Sequence, residues 1–207
     1  MNPARSTAVG PSPGQSQSQS QSQGPSQGRH TALIADVAGL IVDVPDFPQP
    51  GILFKDLTPV LADPRAFAGV IDWFADLALN DPAGAISAVV GIESRGFLLG
   101  APLALRLGVP LLPVRKAGKL PRAVLTESYE LEYGSATLAL HADALPTGGP
   151  VLIVDDVLAT GGTAAAAAAL VSRAGGTVTC VAVLLELAAL GGRRRLAPCH
   201  VHALLAA

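Results

Sequence analysis

The 207-residue chain is half hydrophobic, 14% charged, and carries a formal net charge of −2. That length suits one domain with a sizeable core and is short for two. The charge balance excludes any overall pull toward nucleic acid or anionic lipid, so affinity for phosphate must come from local groups.

Residues 1–30 are dominated by Gly, Pro, Ser and Gln, including the run Gln15–Gln23. Such a segment has almost nothing to bury, and it lacks the apolar run of a signal peptide. It reads as a disordered tail, with residues 31–207 forming a single domain; a chain starting near Thr31 is expected to keep its thermal midpoint. Pro64–Leu79 then places Phe67, Val70, Ile71, Phe74 and Leu77 at helical spacing. Ile86–Ile92 reads as a buried strand, Gly96–Leu107 as a helix and Pro110–Val114 as a second strand. Phe97–Val114 is apolar apart from Arg106, yet Pro102, Gly108, Pro110 and Pro113 break it, which disfavours a membrane span.

Between Leu120 and Ala142 the rhythm changes: Tyr129–Leu131 and Ala136–Leu140 suggest an antiparallel hairpin or flap around Tyr133–Gly134. Val151–Val154 is a strand ending in Asp155–Asp156, Thr163–Ala174 an alanine-rich helix, and Val178–Leu185 a further strand. Strands alternating with helices imply an α/β fold, a parallel sheet covered by helices, with ligands at the carboxyl ends of the strands.

The densest local signal runs from Val151 to Thr163, where a buried strand ends in two carboxylates and a Gly/Thr loop opens a helix. Helix N-termini offer unsatisfied N–H groups and a positive dipole end, which suit a phosphate monoester. Gly161 and Gly162 allow close backbone approach, while Thr160 and Thr163 add hydroxyls. Asp155 and Asp156 would repel phosphate but can accept hydrogen bonds from a sugar diol. The loop lacks the lysine of a Walker motif and the spacing of a dinucleotide fingerprint.

This arrangement resembles the phosphoribosyl pyrophosphate (PRPP) signature of type I phosphoribosyltransferases. The resemblance implies that Ala159, Thr160, Gly161, Gly162 and Thr163 hold the 5′-phosphate and that Asp155 and Asp156 face the ribose hydroxyls. It also implies Mg2+ carried by PRPP rather than by direct protein ligands. Three further segments resemble the adenine phosphoribosyltransferase family: Pro45–Asp56 its N-terminal hood, Gly91–Phe97 its pyrophosphate loop, and Val114–Pro121 with Ser128–Gly134 its catalytic flap. The implied fold is a type I core with helices on both faces, a hood and an antiparallel flap. Adenine would then meet the backbone of Leu53 and Lys55, the ring of Phe54, and Val157. Pyrophosphate would meet Glu93, Ser94, Arg95, Arg115, Lys116 and Lys119, with a cis peptide near Glu93–Ser94. Glu132 is the implied acid–base group. The family further implies adenine, PRPP, AMP and pyrophosphate as ligands, a homodimer, and a cytoplasmic setting without nucleic-acid or membrane partners.

The competing readings are transfer to another purine (hypoxanthine, guanine or xanthine) and a PRPP-sensing regulator, although neither tail nor charge offers a nucleic-acid surface. Arg193–Arg195 reads as a solvated turn after Gly191–Gly192. His141, His200 and His202 show no metal spacing, and Cys180 and Cys199 match neither a disulfide framework nor a metal site.

Overall fold

The computed structural model describes Met1 and residues 25–82, 84–130, 134–145 and 148–207. Along them run α1 (Pro25–Leu40), β1 (Val42–Pro45), β2 (Leu53–Asp56), α2 (Thr58–Ala62), α3 (Pro64–Leu79), β3 (Ala88–Ile92), α4 (Arg95–Leu107) and β4 (Leu111–Lys116). There follow β5 (Val124–Glu130), β6 (Ser135–His141), β7 (Gly149–Leu158), α5 (Gly162–Arg173), β8 (Gly176–Glu186), a 3-10 turn, α6 (Gly192–Arg195) and β9 (His200–Ala206). The strands form two sheets: an antiparallel β1–β2 pair, and a seven-stranded sheet in the order β5-β6-β4-β3-β7-β8-β9.

The α3 helix coincides with the periodic segment, and its start has a local cause. The Asp63 carboxylate accepts the backbone N–H groups of Arg65 and Ala66, both at 2.9 Å, and Pro64 sits in the first turn where no N–H is needed. Its buried stripe of Ala66, Val70, Ile71, Phe74, Ala75 and Ala78 joins a core shared with α1 and α4 on one face of the sheet. Helix α5 covers the other face, where its small alanines let Ala164, Ala166, Ala167, Leu170 and Val171 lie close over Ile153 and Val181. Strands β4, β3, β7, β8 and β9 are parallel neighbours. From β3 the chain crosses by α4 to β4 on one side; from β7 it crosses by α5 to β8 on the other. The crevice between β3 and β7 is therefore the topological switch point, where α/β sheets collect ligands.

Several boundaries differ from the sequence expectation. Strand β7 runs past the apolar stretch through Asp155 and Asp156 to Leu158, because β8 keeps pairing with it as far as Glu186. Strand β3 ends at Ile92 as expected but starts later, at Ala88, and its last partner on β7 is Val154. The flap arms are longer than expected on the first side, and β6 also pairs antiparallel with the end of β4 through Arg115 and Lys116, which joins the flap to the main sheet. Helix α1 begins at Pro25, inside the segment read as tail. Contacts beyond composition account for this: His30 meets Trp73 edge-on at 6.0 Å between ring centroids, and Leu33 fills the space over Gly69. Among the described residues, no helix is long and apolar enough to cross a membrane.

The earlier start of α1 moves the expected safe truncation point. Removing residues 1–24 should leave the melting midpoint unchanged. Removing residues 1–30 also strips the His30–Trp73 pair, worth about 0.5–1.5 kcal/mol. That loss should lower the midpoint by about 1–6 °C for a domain of this size, measured by scanning calorimetry.

Candidate active site

The switch-point crevice opens into a cavity of about 540 Å³ lined on one side by Val44, Phe47, Phe54, Asp56, Leu57, Thr58 and Leu61, and on the other by Arg95, Leu98, Leu99, Asp156 and Leu184. The first wall is the β1–β2 hairpin and the start of α2; the second is the start of α4 and the ends of β7 and β8. Arg95 bridges them. Its guanidinium carbon lies 5.7 Å from the centre of the Phe54 ring, which in turn meets Phe47 edge-on at 5.1 Å. Its Nε forms an ion pair with Asp156 Oδ2.

Asp155 and Asp156 sit where β7 has lost β3 as a neighbour, so one side of the strand is open to the crevice. Asp156 is buried, and its Oδ2 receives no well-aligned hydrogen bond despite the contact with Arg95. Asp155 accepts the N–H of Asp156 at 2.9 Å. Removal from water, and then the neighbouring Asp156 charge, push the Asp155 carboxyl well above the usual carboxylate range. This pair is poised to gain hydrogen-bond donors.

Glycine makes that approach possible. A methyl group on Gly96 would lie 2.8 Å from the Val154 carbonyl oxygen and 3.0 Å from Asp155 Oδ1. Helix α4 thus starts in contact with the end of β7, carrying Arg95 with it. The Glu93–Ser94 peptide preceding α4 is cis, as the resemblance implied. The Glu93 carboxylate accepts the Lys116 N–H at 2.9 Å and the Arg115 Nε at 3.2 Å, and Arg115 also donates to the Lys119 carbonyl at 3.1 Å. The Lys116 N–H, then Arg115, hold the Glu93 carboxyl below its ordinary range. Glu93 therefore ties the β3–α4 loop to β4, while Lys116 and Lys119 are exposed beside it.

Of the residues expected at the base, Phe54 lines the cavity. Leu53 flanks it and is exposed. The Lys55 ammonium pairs with Asp43 across the hairpin at 2.7 Å. Val157 packs into the core on the α3–α4 face. Asp56, absent from the expected set, lines the cavity, and its carboxyl is lowered by the Thr58 hydroxyl and N–H, with Arg95 adding a smaller charge effect.

Ala159 to Gly161 form the loop into α5, whose first residues are Gly162 and Thr163, with Gly161 in the left-handed region at φ +80°. Over it lies Tyr129 of β5, whose hydroxyl accepts from Thr163 Oγ1 at 3.3 Å. Strand β5 is held to α5 by Arg173, which donates to the Thr126 carbonyl at 2.7 Å and to Glu127 at 3.1 Å. Glu132 lies outside the described residues. Sequence reading missed Tyr129 and Gly96 as individual residues because their partners are distant in the chain. The arginine triplet, read as a solvated turn, is exposed but engaged: Arg193 binds Glu186, and Arg195 comes beside Gly162.

This geometry agrees with what is known of similar proteins. The model of the phosphoribosyl transferase domain matches residues 57–196. The adenine phosphoribosyltransferase of Salinispora tropica is 56% identical over 178 residues, covering 86% of this chain and 92% of its own. The chain belongs to the adenine phosphoribosyltransferase family. Among solved members, the Rhodothermus marinus enzyme superposes with a TM-score of 0.79 at 49% identity, covering 86% of this chain and 99% of its own. The Saccharomyces cerevisiae adenine phosphoribosyltransferase, complexed with D-2,5-dideoxy-2,5-imino-altritol 1,6-bisphosphate and adenine, gives 0.80 at 41%, covering 84% and 99%. The family's type I α/β fold, a mostly parallel sheet with a small antiparallel one, is the fold found here.

Replacing Gly96 by Ala forces backbone against backbone at the end of β7. Gly96→Ala should destabilise the protein by about 1–3 kcal/mol in urea denaturation, the usual cost of overpacking.

Proposed function

We propose that this enzyme joins adenine to PRPP, giving AMP and pyrophosphate. The observation that carries the reading is the aromatic-walled cavity at the sheet's switch point, in which Arg95 joins the Phe54 ring to the buried Asp156 carboxylate. A planar apolar base suits the Phe54 wall, and backbone groups of Leu53 and Lys55 offer a donor and an acceptor to its amino-pyrimidine edge. The hydroxyls of a ribose suit Asp155 and Asp156, and the N–H groups opening α5 suit a 5′-phosphate. The family relative from yeast holds adenine together with a bisphosphate, the same two kinds of ligand.

In the reaction the C1′–oxygen bond to pyrophosphate breaks, N9 of adenine bonds to C1′, and the N9 proton leaves. Adenine is itself the nucleophile, so the protein's work is positioning and charge stabilisation. Arg95, Arg115, Lys116 and Lys119 would receive the departing pyrophosphate, with Ser94 at the loop and Glu93 orienting Arg115. Asp155 and Asp156 would hold the sugar as positive charge develops at C1′. The hard oxygens of this pair, with Asp156 Oδ2 lacking a well-aligned donor, fit a hydrated magnesium ion entering on PRPP. Magnesium would neutralise charge on the pyrophosphate. We assign the proton transfer to Glu132, and propose a cytoplasmic homodimer.

Turnover of adenine, hypoxanthine, guanine, xanthine and uracil with PRPP and magnesium tests the assignment. Adenine should exceed hypoxanthine and guanine by at least about a hundredfold in kcat/KM, because mismatched buried polar groups discriminate strongly. Comparable turnover of a 6-oxopurine would replace adenine with that base. Glu132→Gln should lower kcat by about 10²–10⁴ with little change in KM for PRPP, the usual effect of losing a positioned acid or base. Glu130→Gln serves as the neighbouring control and should stay near wild type.

A further inference from the structure

Behind the phosphate loop lies a stretch of chain with no part in the reaction described above: the Gly191–Gly192 turn and α6. Gly161 and Gly192 meet backbone to backbone. A methyl group on Gly161 would lie 2.6 Å from the Gly192 carbonyl oxygen and 3.0 Å from its Cα. One on Gly192 would lie 2.9 Å from the Gly161 nitrogen and would also strike the Ala159 carbonyl oxygen. The loop therefore rests directly on Gly192, with no side chain between them to absorb a shift.

A single helical turn such as α6 cannot hold its own position, since nucleating a turn in isolation is unfavourable. Something else must fix Gly192. The next residue, Arg193, sends Nε to both carboxylate oxygens of Glu186, at 3.1 and 3.2 Å, and Nη1 to the Val201 carbonyl. Glu186 is the buried last residue of β8, and Val201 lies on the neighbouring β9. Two parallel strands of the main sheet thus grip one guanidinium, and the guanidinium carries Gly192.

We propose that the Arg193–Glu186 pair is the device that positions the 5′-phosphate loop, acting through Gly192 on Ala159 and Gly161. The inference rests on the reading of residues 159–163 as the 5′-phosphate site. Arg193 is a positioning residue and touches no substrate. The planar fork is essential to it, because an ammonium cannot serve two carboxylate oxygens and a carbonyl in fixed directions.

The test compares wild type with Arg193→Lys, Glu186→Gln and Gly192→Ala by calorimetric titration of AMP and of adenine, together with steady-state kinetics. Each variant should weaken AMP and raise KM for PRPP by about tenfold to a hundredfold, the scale of a small misplacement of binding groups. Adenine's KM and kcat at saturating PRPP should stay near wild type. The Glu186→Gln/Arg193→Lys double variant should be no weaker than the worse single one, as expected for two members of one device. Gly192→Ala leaves the ion pair intact and presses on the loop directly, so it tests the same idea if the charge variants fold poorly. Wild-type affinity for AMP in Gly192→Ala, or an equal loss for adenine and AMP in the others, would overturn the proposal. A wild-type protein that binds adenine but neither AMP nor PRPP would instead remove the phosphate-site reading, and this inference with it.

Discussion

The structure turns on two adjacent carboxylates placed where the sheet divides. Asp155 and Asp156 lie on β7 just past the point where β3 leaves it, and burying two like charges side by side is unfavourable unless cations or donors compensate. Arg95 supplies part of that compensation, and it can reach Asp156 only because Gly96 lets α4 begin against β7. Arg95 is half open to water although Asp156 is buried, so solvent screening keeps the pair's own contribution to stability modest. The raised Asp155 carboxyl has a definite sign. In the folded protein it holds a proton that the unfolded chain has already released, so stability falls as pH rises from the ordinary carboxylate range through the folded value. Hydrogen-bond donors placed against the pair would relieve that cost.

Much of this was legible where cause and effect lie close in the chain. Helix α3 announced itself through its apolar stripe, and the loop into α5 through contiguous glycines and threonines after a carboxylate pair. Boundaries failed where pairing outlasts the apolar pattern: the Asp pair looks like the end of a strand, yet β8 carries β7 three residues further than Asp155, to Leu158. The β1–β2 hairpin was recognisable only by resemblance, since Pro45 and the charged Lys55–Asp56 end of β2 give no alternating signal. Contacts across long separations left no local trace. Tyr129 on Thr163, Arg95 on Asp156 and Gly192 on Gly161 each join residues that composition treats independently. Arginine triplets usually mark solvent, and the one here does face it; what escaped was Glu186, a buried carboxylate that recruits one of the three.

The two sheets also divide the walls of the cavity between them. Groups suited to phosphate and sugar belong to the large sheet and its crossovers, whereas the aromatic wall stands on a hairpin that pairs with none of the large sheet's strands. Lys55 and Asp43 close that hairpin internally, so its register owes nothing to β7 or α5. In evolutionary terms, the hairpin wall of the cavity is a detachable trait. Descendants of such a chain could redraw that wall while inheriting the opposite one, with Arg95 and Asp156, unaltered.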